Sequence, residues 1–133
     1  MSKINSKLKS IILVISILLI ITISGILTLT YFNKTADKLE KTVISASEAI
    51  KANKWDHAAS QLKSFEQSWE KTKFGWAILL DHFEIDNIDN SFTKSKKFVE
   101  AGDFSASLAE LEALREYILH IPQKEKFTIE NIL

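Results

Sequence analysis

Residues 55–83 read WDHAASQLKSFEQSWEKTKFGWAILLDHF, and in them Trp55, Leu62, Trp69, Trp76 and Phe83 recur at every seventh position. Ala58, Ala59, Phe65 and Leu79 fill the turns between. Seven residues are two turns of an α-helix, so the spacing predicts one long helix with a single apolar seam. Three tryptophans at that interval are read as core anchors rather than as platforms for a ligand. Upstream, Leu39, Val43, Ala46 and Ile50 make a second helical stripe over residues 35–53, with Asn53 in a turn and Asp56 as the first-turn acid of the next helix. Downstream, Ile85, Ile88, Phe92 and Val99 predict a third helix ending at Ala101 and Gly102, glycine being the usual residue just past a helix. Phe104, Leu108, Leu111, Leu114 and Ile118 predict a fourth, which Pro122 is expected to stop. Residues 123–133 are short and amphipathic. Thr128 is expected to cap a short C-terminal helix whose Phe127, Ile129, Ile132 and Leu133 close over one end of the molecule.

The pattern is all-α, an antiparallel four-helix bundle made of two helical hairpins. Laying residues 34–69 over 83–118 at an offset of 49 pairs Leu39 with Ile88, Val43 with Phe92, Ile50 with Val99, Leu62 with Leu111 and Phe65 with Leu114. Either an internal duplication or the shared periodicity of any antiparallel helix pair accounts for that match. A 34-residue repeat is absent, which argues against a tetratricopeptide array although Gly102, Asp103 and Phe104 resemble part of one.

Ahead of the bundle lies different material. Ser10 to Phe32 are 23 residues without a charge, 16 of them large and apolar or aromatic. At about 1.5 Å per residue they span roughly 34 Å, the thickness of a bilayer core. The run is too long for a cleaved signal peptide and lacks a small-x-small ending, so it is read as a retained transmembrane helix. Ser16, Thr22, Ser24, Thr28 and Thr30 can return their hydroxyls to helical carbonyls, and Tyr31 and Phe32 are expected at the far interface. Residues 1–9 carry Lys3, Lys7 and Lys9 with no acid. A short basic tail stays in the cytoplasm, which puts residues 33–133 outside the plasma membrane as a single-pass protein. Helix 3 then starts at the membrane end of the bundle and helix 4 returns to it. Helix 2 outreaches helix 1, so a bend near Gly75, a tilt of the bundle or a break near Asn33 is expected.

Of the 133 residues, 17 are basic and 17 acidic. The first 33 carry +3, and residues 34–133 carry 14 basic against 17 acidic groups, or −3. Without a basic surface no nucleic-acid partner is expected. The absence of cysteine excludes disulfides, thiolate metal sites and a cysteine nucleophile. Three glycines and one proline are too few for a multi-stranded fold or a phosphate-binding loop.

One titratable cluster stands out: Asp81, His82, Glu84, Asp86 and Asp89, which the predicted topology brings to the level of His120. His82, Glu84 and His120 are the candidate metal ligands, since imidazole and carboxylate suit zinc or another divalent ion if three or four converge. The alternative is structural, with Asp81 and Glu84 capping and charging the start of a helix. No cofactor and no catalytic residue are assigned, because general acid-base work needs a pocket that a small bundle need not have. His57 and the run Lys94, Lys96 and Lys97 are read as solvated surface.

Residues 76–88, WAILLDHFEIDNI, and residues 120–133, HIPQKEKFTIENIL, together with a single N-terminal span, resemble the family called domain of unknown function 4363. Gln123 stands where that pattern leads one to expect glutamate. The resemblance implies a small membrane-anchored protein of Gram-positive bacteria with no assigned activity. Through genes of this family that lie beside those of multi-pass membrane proteins, it also implies an integral membrane partner of the YetF type. The expectation is therefore a non-enzymatic accessory protein whose bundle binds another membrane or envelope protein through Asp81, His82, Glu84, Asp86, His120, Phe127 and Ile132. The alternative is a small sensor domain taking a metal or anion near His82 and His120.

Overall fold

The computed structural model describes the backbone of residues 2–132 and the side chains of residues 5–132. Four helices account for nearly all of it: α1 (Ser2–Lys51), α2 (Trp55–Leu79), α3 (His82–Glu100) and α4 (Phe104–Ile132). Links of two or three residues between long helices leave no alternative to antiparallel neighbours. In cyclic order α1 packs on α2 and α4, and α3 packs on α4 and α2. Buried residues from all four helices form one core, including Leu39, Phe65, Trp76, Ile88, Leu114 and Ile118.

The apolar run and the first stripe are one helix. Nothing between Phe32 and Leu39 breaks a helix, and Asn33 does not interrupt it. Ser16, Thr22 and Thr30 donate to the carbonyls of Ile12, Leu18 and Ile26 at 2.8–2.9 Å. The expected stripe of Leu39, Val43, Ala46 and Ile50 is fully buried. Phe32, expected at an interface, is instead a core residue with no exposed surface, its ring 5.5 Å from that of Trp76 in an edge-on arrangement. Tyr31 lies over Gly75, where a Cβ would collide with its phenol oxygen. The bundle therefore begins inside the run that composition alone assigns to the span.

The two turns at the far end, here the tip, are built alike. At residues 52–54, Asn53 has φ 59°, its N–H donates to Ile50 O and that of Lys54 donates to Ala49 O. At residues 101–103, Gly102 has φ 67°, its N–H donates to Val99 O and that of Asp103 donates to Phe98 O. Each pair of partners is separated from its counterpart by 49 residues, the offset that aligns the apolar stripes. Both are Schellman closures, which need one left-handed residue after the helix. Glycine adopts that conformation freely, and asparagine tolerates it better than most.

At the opposite end, the base, α2 passes through Gly75 without a break and ends where the indole Nε1 of Trp76 donates to Thr35 Oγ1 at 2.9 Å. Leu80 and Asp81 are extended and reverse the chain into α3. Phe83 thus leaves the seven-residue seam: it belongs to α3 and is exposed, because the link rotates it away from the core. Of the rest of the seam, Leu62, Trp69 and Trp76 are buried and Trp55 is half-buried against the core, whereas Ala59 and Leu79, expected to fill the turns between, are exposed.

The C-terminal segment departs furthest from expectation. Pro122 does not stop α4, which continues to Ile132, and no separate short helix follows. The ring costs the helix one hydrogen bond, but Pro122 is buried and the turns beyond it lie along α1, where Ile129 packs 3.6 Å from the Cβ position of Gly25. Burial of Pro122 together with the packing of these turns on α1 offsets a local penalty of about 3 kcal/mol. Thr128 is not a cap either, since its Oγ1 donates to Lys124 O at 3.1 Å within the helix. Phe127 and Ile132 are exposed rather than folded over the end of the bundle, and Leu133 lies outside the described residues.

Candidate interaction surface at the base of the bundle

Asp81 begins the site. It is the N-cap of α3, with extended backbone (φ −65°, ψ 141°) and a carboxylate that accepts from Phe83 N at 3.4 Å. With Asp81 capping, His82 and Phe83 occupy the first turn on the outside of the bundle and are exposed. Glu84 is one position further round and turns toward α4. Its side chain is only 12% exposed and accepts from Lys124 Nζ at 3.1 Å. This ion pair ties the start of α3 to the part of α4 beyond Pro122.

Glu84 and His120 line one open groove between α3 and α4, of about 360 Å³, together with Phe83, Asn87, Glu116 and Tyr117. Two of the three expected metal ligands therefore share a groove. His82 is not on its lining, and Glu84 is held by Lys124. Among the described residues no group of three or more His, Asp or Glu side chains is arranged to hold a metal ion. Asp86 is exposed on the same helix, one residue before Asn87.

Asp89 belongs elsewhere. It faces α2, where its Oδ1 accepts from Trp69 Nε1 at 2.7 Å and its Oδ2 accepts from Lys73 Nζ. The buried indole N–H needs an acceptor and the carboxylate needs a cation, so this trio is a fastening between α2 and α3. Its sequence signal is the coincidence of an acid on the third stripe with a tryptophan on the second, visible only once the helices are in register. Sequence reasoning also passed over Arg115, the only arginine of the chain. Its Nε donates to Glu40 Oε1 at 2.8 Å and its NH1 to Glu112 at 3.1 Å, joining α4 to α1. The hydrogen bond to Glu40 raises the guanidinium pKa above its ordinary value, against the lowering effect of burial.

Around this groove the base is conspicuously apolar on the outside. Phe74, Ile78 and Leu79 at the end of α2, Phe83 at the start of α3, and Phe127 and Ile132 near the end of α4 are exposed by 49–76%. Beyond Phe32, among the described residues, Phe104 is exposed to a similar degree (50%), and Ile44 and Tyr117 less, at 38%. The exposed apolar surface of the bundle is thus concentrated at the end from which the apolar arm of α1 departs.

Neither a comparison with curated proteins nor one with solved structures finds a match. The model of one family does match, over residues 26–132, and that interval takes in Phe32, the tryptophan seam, the groove and α4 through Ile132. The chain therefore belongs to the family described as domain of unknown function DUF4363.

Proposed function

We propose that this is a single-span protein of the plasma membrane, with its N-terminus in the cytoplasm and its helical bundle outside. In this reading the bundle binds another integral membrane protein through the α3–α4 groove and catalyses no reaction. The observation that carries the proposal is the position of that groove at the base, beside an arm of α1 long and apolar enough to cross a membrane. A partner reaching Phe83, Asn87, Glu116, Tyr117 and His120 meets them at the height of the arm, where another membrane protein is the natural neighbour. Asp81, Asp86 and Glu116 make the surroundings acidic, which favours a partner with a basic loop edged by apolar side chains. Isolated apolar residues on a surface need no explanation, but a grouped set beside a charged groove does.

Two experiments test the reading. A chain without cysteine accepts single cysteines cleanly, so Ser2→Cys and Ser105→Cys should respond oppositely to an impermeant thiol reagent on intact cells, with only Ser105→Cys labelled. Labelling of Ser2→Cys alone reverses the topology. For the partner, full-length protein is co-purified from its native membrane. Asp86→Lys should lose a membrane protein that Lys96→Glu retains, Lys96 lying between α2 and α3 and paired with Glu66 at 3.4 Å. Equal recovery with both variants removes Asp86 and its side of α3 from the interface.

A further inference from the structure

We infer that the base of the bundle is seated in the lipid headgroup layer, with Phe74, Ile78, Phe83 and Phe127 as an apolar collar directed at the same bilayer that holds the arm. The inference rests on the membrane reading above and concerns how deep the molecule sits. It starts from the overlap of α4 with the arm. Ile129 packs on Gly25, and Ile129 and Ile132 enclose a small cavity of about 90 Å³ with Ile21, Thr22 and Gly25. The last turns of α4 therefore run beside the outer part of the charge-free stretch of α1.

Those turns carry Lys124, Glu125, Lys126 and Glu130. If the hydrocarbon began at Phe32, as composition alone indicates, all four charges and the Glu84–Lys124 pair would lie at or below its edge, where charged side chains are strongly disfavoured. The bilayer has a better position. A core of roughly 30 Å needs about 20 residues, and Leu8 to Leu27 supply them without a charge except Lys9, which can extend its amine back to the inner headgroups. Thr28 to Phe32 then pass through the outer headgroup layer. Phe32 is buried there against Trp76, and Tyr31 is half-buried over Gly75, so protein covers one side of this segment of α1 while Thr30 stays exposed.

Seated in this way, the base puts its exposed apolar residues where aromatic and aliphatic side chains favour an interface. The charges of α4 are accommodated by helix geometry. Side chains lean toward the N-terminus of their own helix, and α4 descends toward the arm, so Lys126 and Glu130 lean back toward water. They also pair with each other at 3.8 Å. Because α1 is one uninterrupted helix from arm to tip, a seated base holds the whole bundle in one orientation to the membrane.

The test uses full-length protein in vesicles of phosphatidylcholine and phosphatidylglycerol, spin-labelled at single cysteines. Leu18→Cys lies in the arm, Phe83→Cys and Phe127→Cys lie in the collar, and Phe104→Cys lies at the tip; all four positions are exposed, so the labels should leave the core intact. Collision with oxygen reports lipid and collision with a nickel chelate reports water. The expected result is a ratio of oxygen to nickel collisions highest at Leu18, lowest at Phe104 and distinctly raised at both collar positions. A lipid-like Leu18 with collar labels indistinguishable from Phe104 overturns the seating and leaves the membrane reading intact. Water-like collisions at Leu18 overturn both. Collar labels shielded from both reagents overturn the seating too, since a protein surface would then be covering them.

Discussion

Ser107 and Ala58 stand at equivalent places in the two hairpins, one turn after each tip turn, and both are completely buried. At Ser107 the hydroxyl oxygen has no hydrogen-bond partner, the one such buried side-chain atom among the described residues. At Ala58 there is no hydroxyl to satisfy. A buried unpaired polar group costs about 1–3 kcal/mol, and removing it without leaving a large void recovers part of that. Ser107→Ala should therefore raise stability by about 1 kcal/mol, read as a higher denaturant midpoint with unchanged slope. A lower midpoint would mean that the hydroxyl has a partner, such as a buried water. Ser95, by contrast, is buried but donates to Ser91 O at 2.8 Å, and Ser91 donates to Glu110 Oε1 at 2.8 Å, so the same change there carries no such gain.

Among the elements, α2 carries most of the buried aromatic side chains. Trp69 and Trp76 meet edge-on at 5.6 Å, Trp76 meets Phe32 on α1, and Phe65 stacks on Phe92 of α3 at 4.9 Å. Trp69→Ala should cost about 3–5 kcal/mol, as for other fully buried aromatics. It also takes from Asp89 one of its two donors, leaving the carboxylate with Lys73. Trp69→Phe separates the two effects, because it keeps most of the packing and removes only the indole N–H. Chemical denaturation of both variants should show the larger part of the loss in the alanine variant. A loss below about 1 kcal/mol for Trp69→Ala would contradict the burial of that side chain. The α2–α3 seam is the least extensive of the four helix pairs, which makes the Trp69–Asp89–Lys73 fastening and the Lys96–Glu66 pair the main polar ties across it.

For the molecule as a whole, the boundary between arm and bundle lies earlier than the last apolar residue. Phe32 has no exposed surface, Ala36 has almost none, and Pro122 and Leu119 face the α1 residues from Thr30 to Glu40. A chain beginning at Asn33 should consequently be less stable than one beginning at Thr28 by about 3–5 kcal/mol, the cost of emptying the Phe32 site. Thermal unfolding of the two chains in detergent-free buffer checks this. Equal midpoints would show that Phe32 contributes nothing to the core and would move the boundary back to the end of the charge-free run. The family match beginning at residue 26 agrees with the earlier boundary.

Much of this architecture was legible in the chain itself, because period is a local property. The stripes Leu39–Val43–Ala46–Ile50 and Ile85–Ile88–Phe92–Val99 recur at helical intervals whatever their partners, and all eight residues are buried. Gly102 announced its turn by being glycine, whereas Asn53 did so only with the help of Asp56 behind it. The candidate residues at the base were legible as a cluster, and the sequence also placed helix 3 and helix 4 at one end. What depended on tertiary structure was every choice in which a local preference met a distant partner. Pro122 discourages a helix, yet α4 continues because Ile129 finds Gly25 on another helix. Phe32 ends an apolar run suited to lipid, yet Trp76 captures it. Asp89 sits among acids that share its segment, yet Trp69 and Lys73 draw it to the opposite face. Propensity is worth a few kcal/mol at most and acts within a few residues, so it yields wherever burial of a large side chain or pairing of a buried polar group offers more.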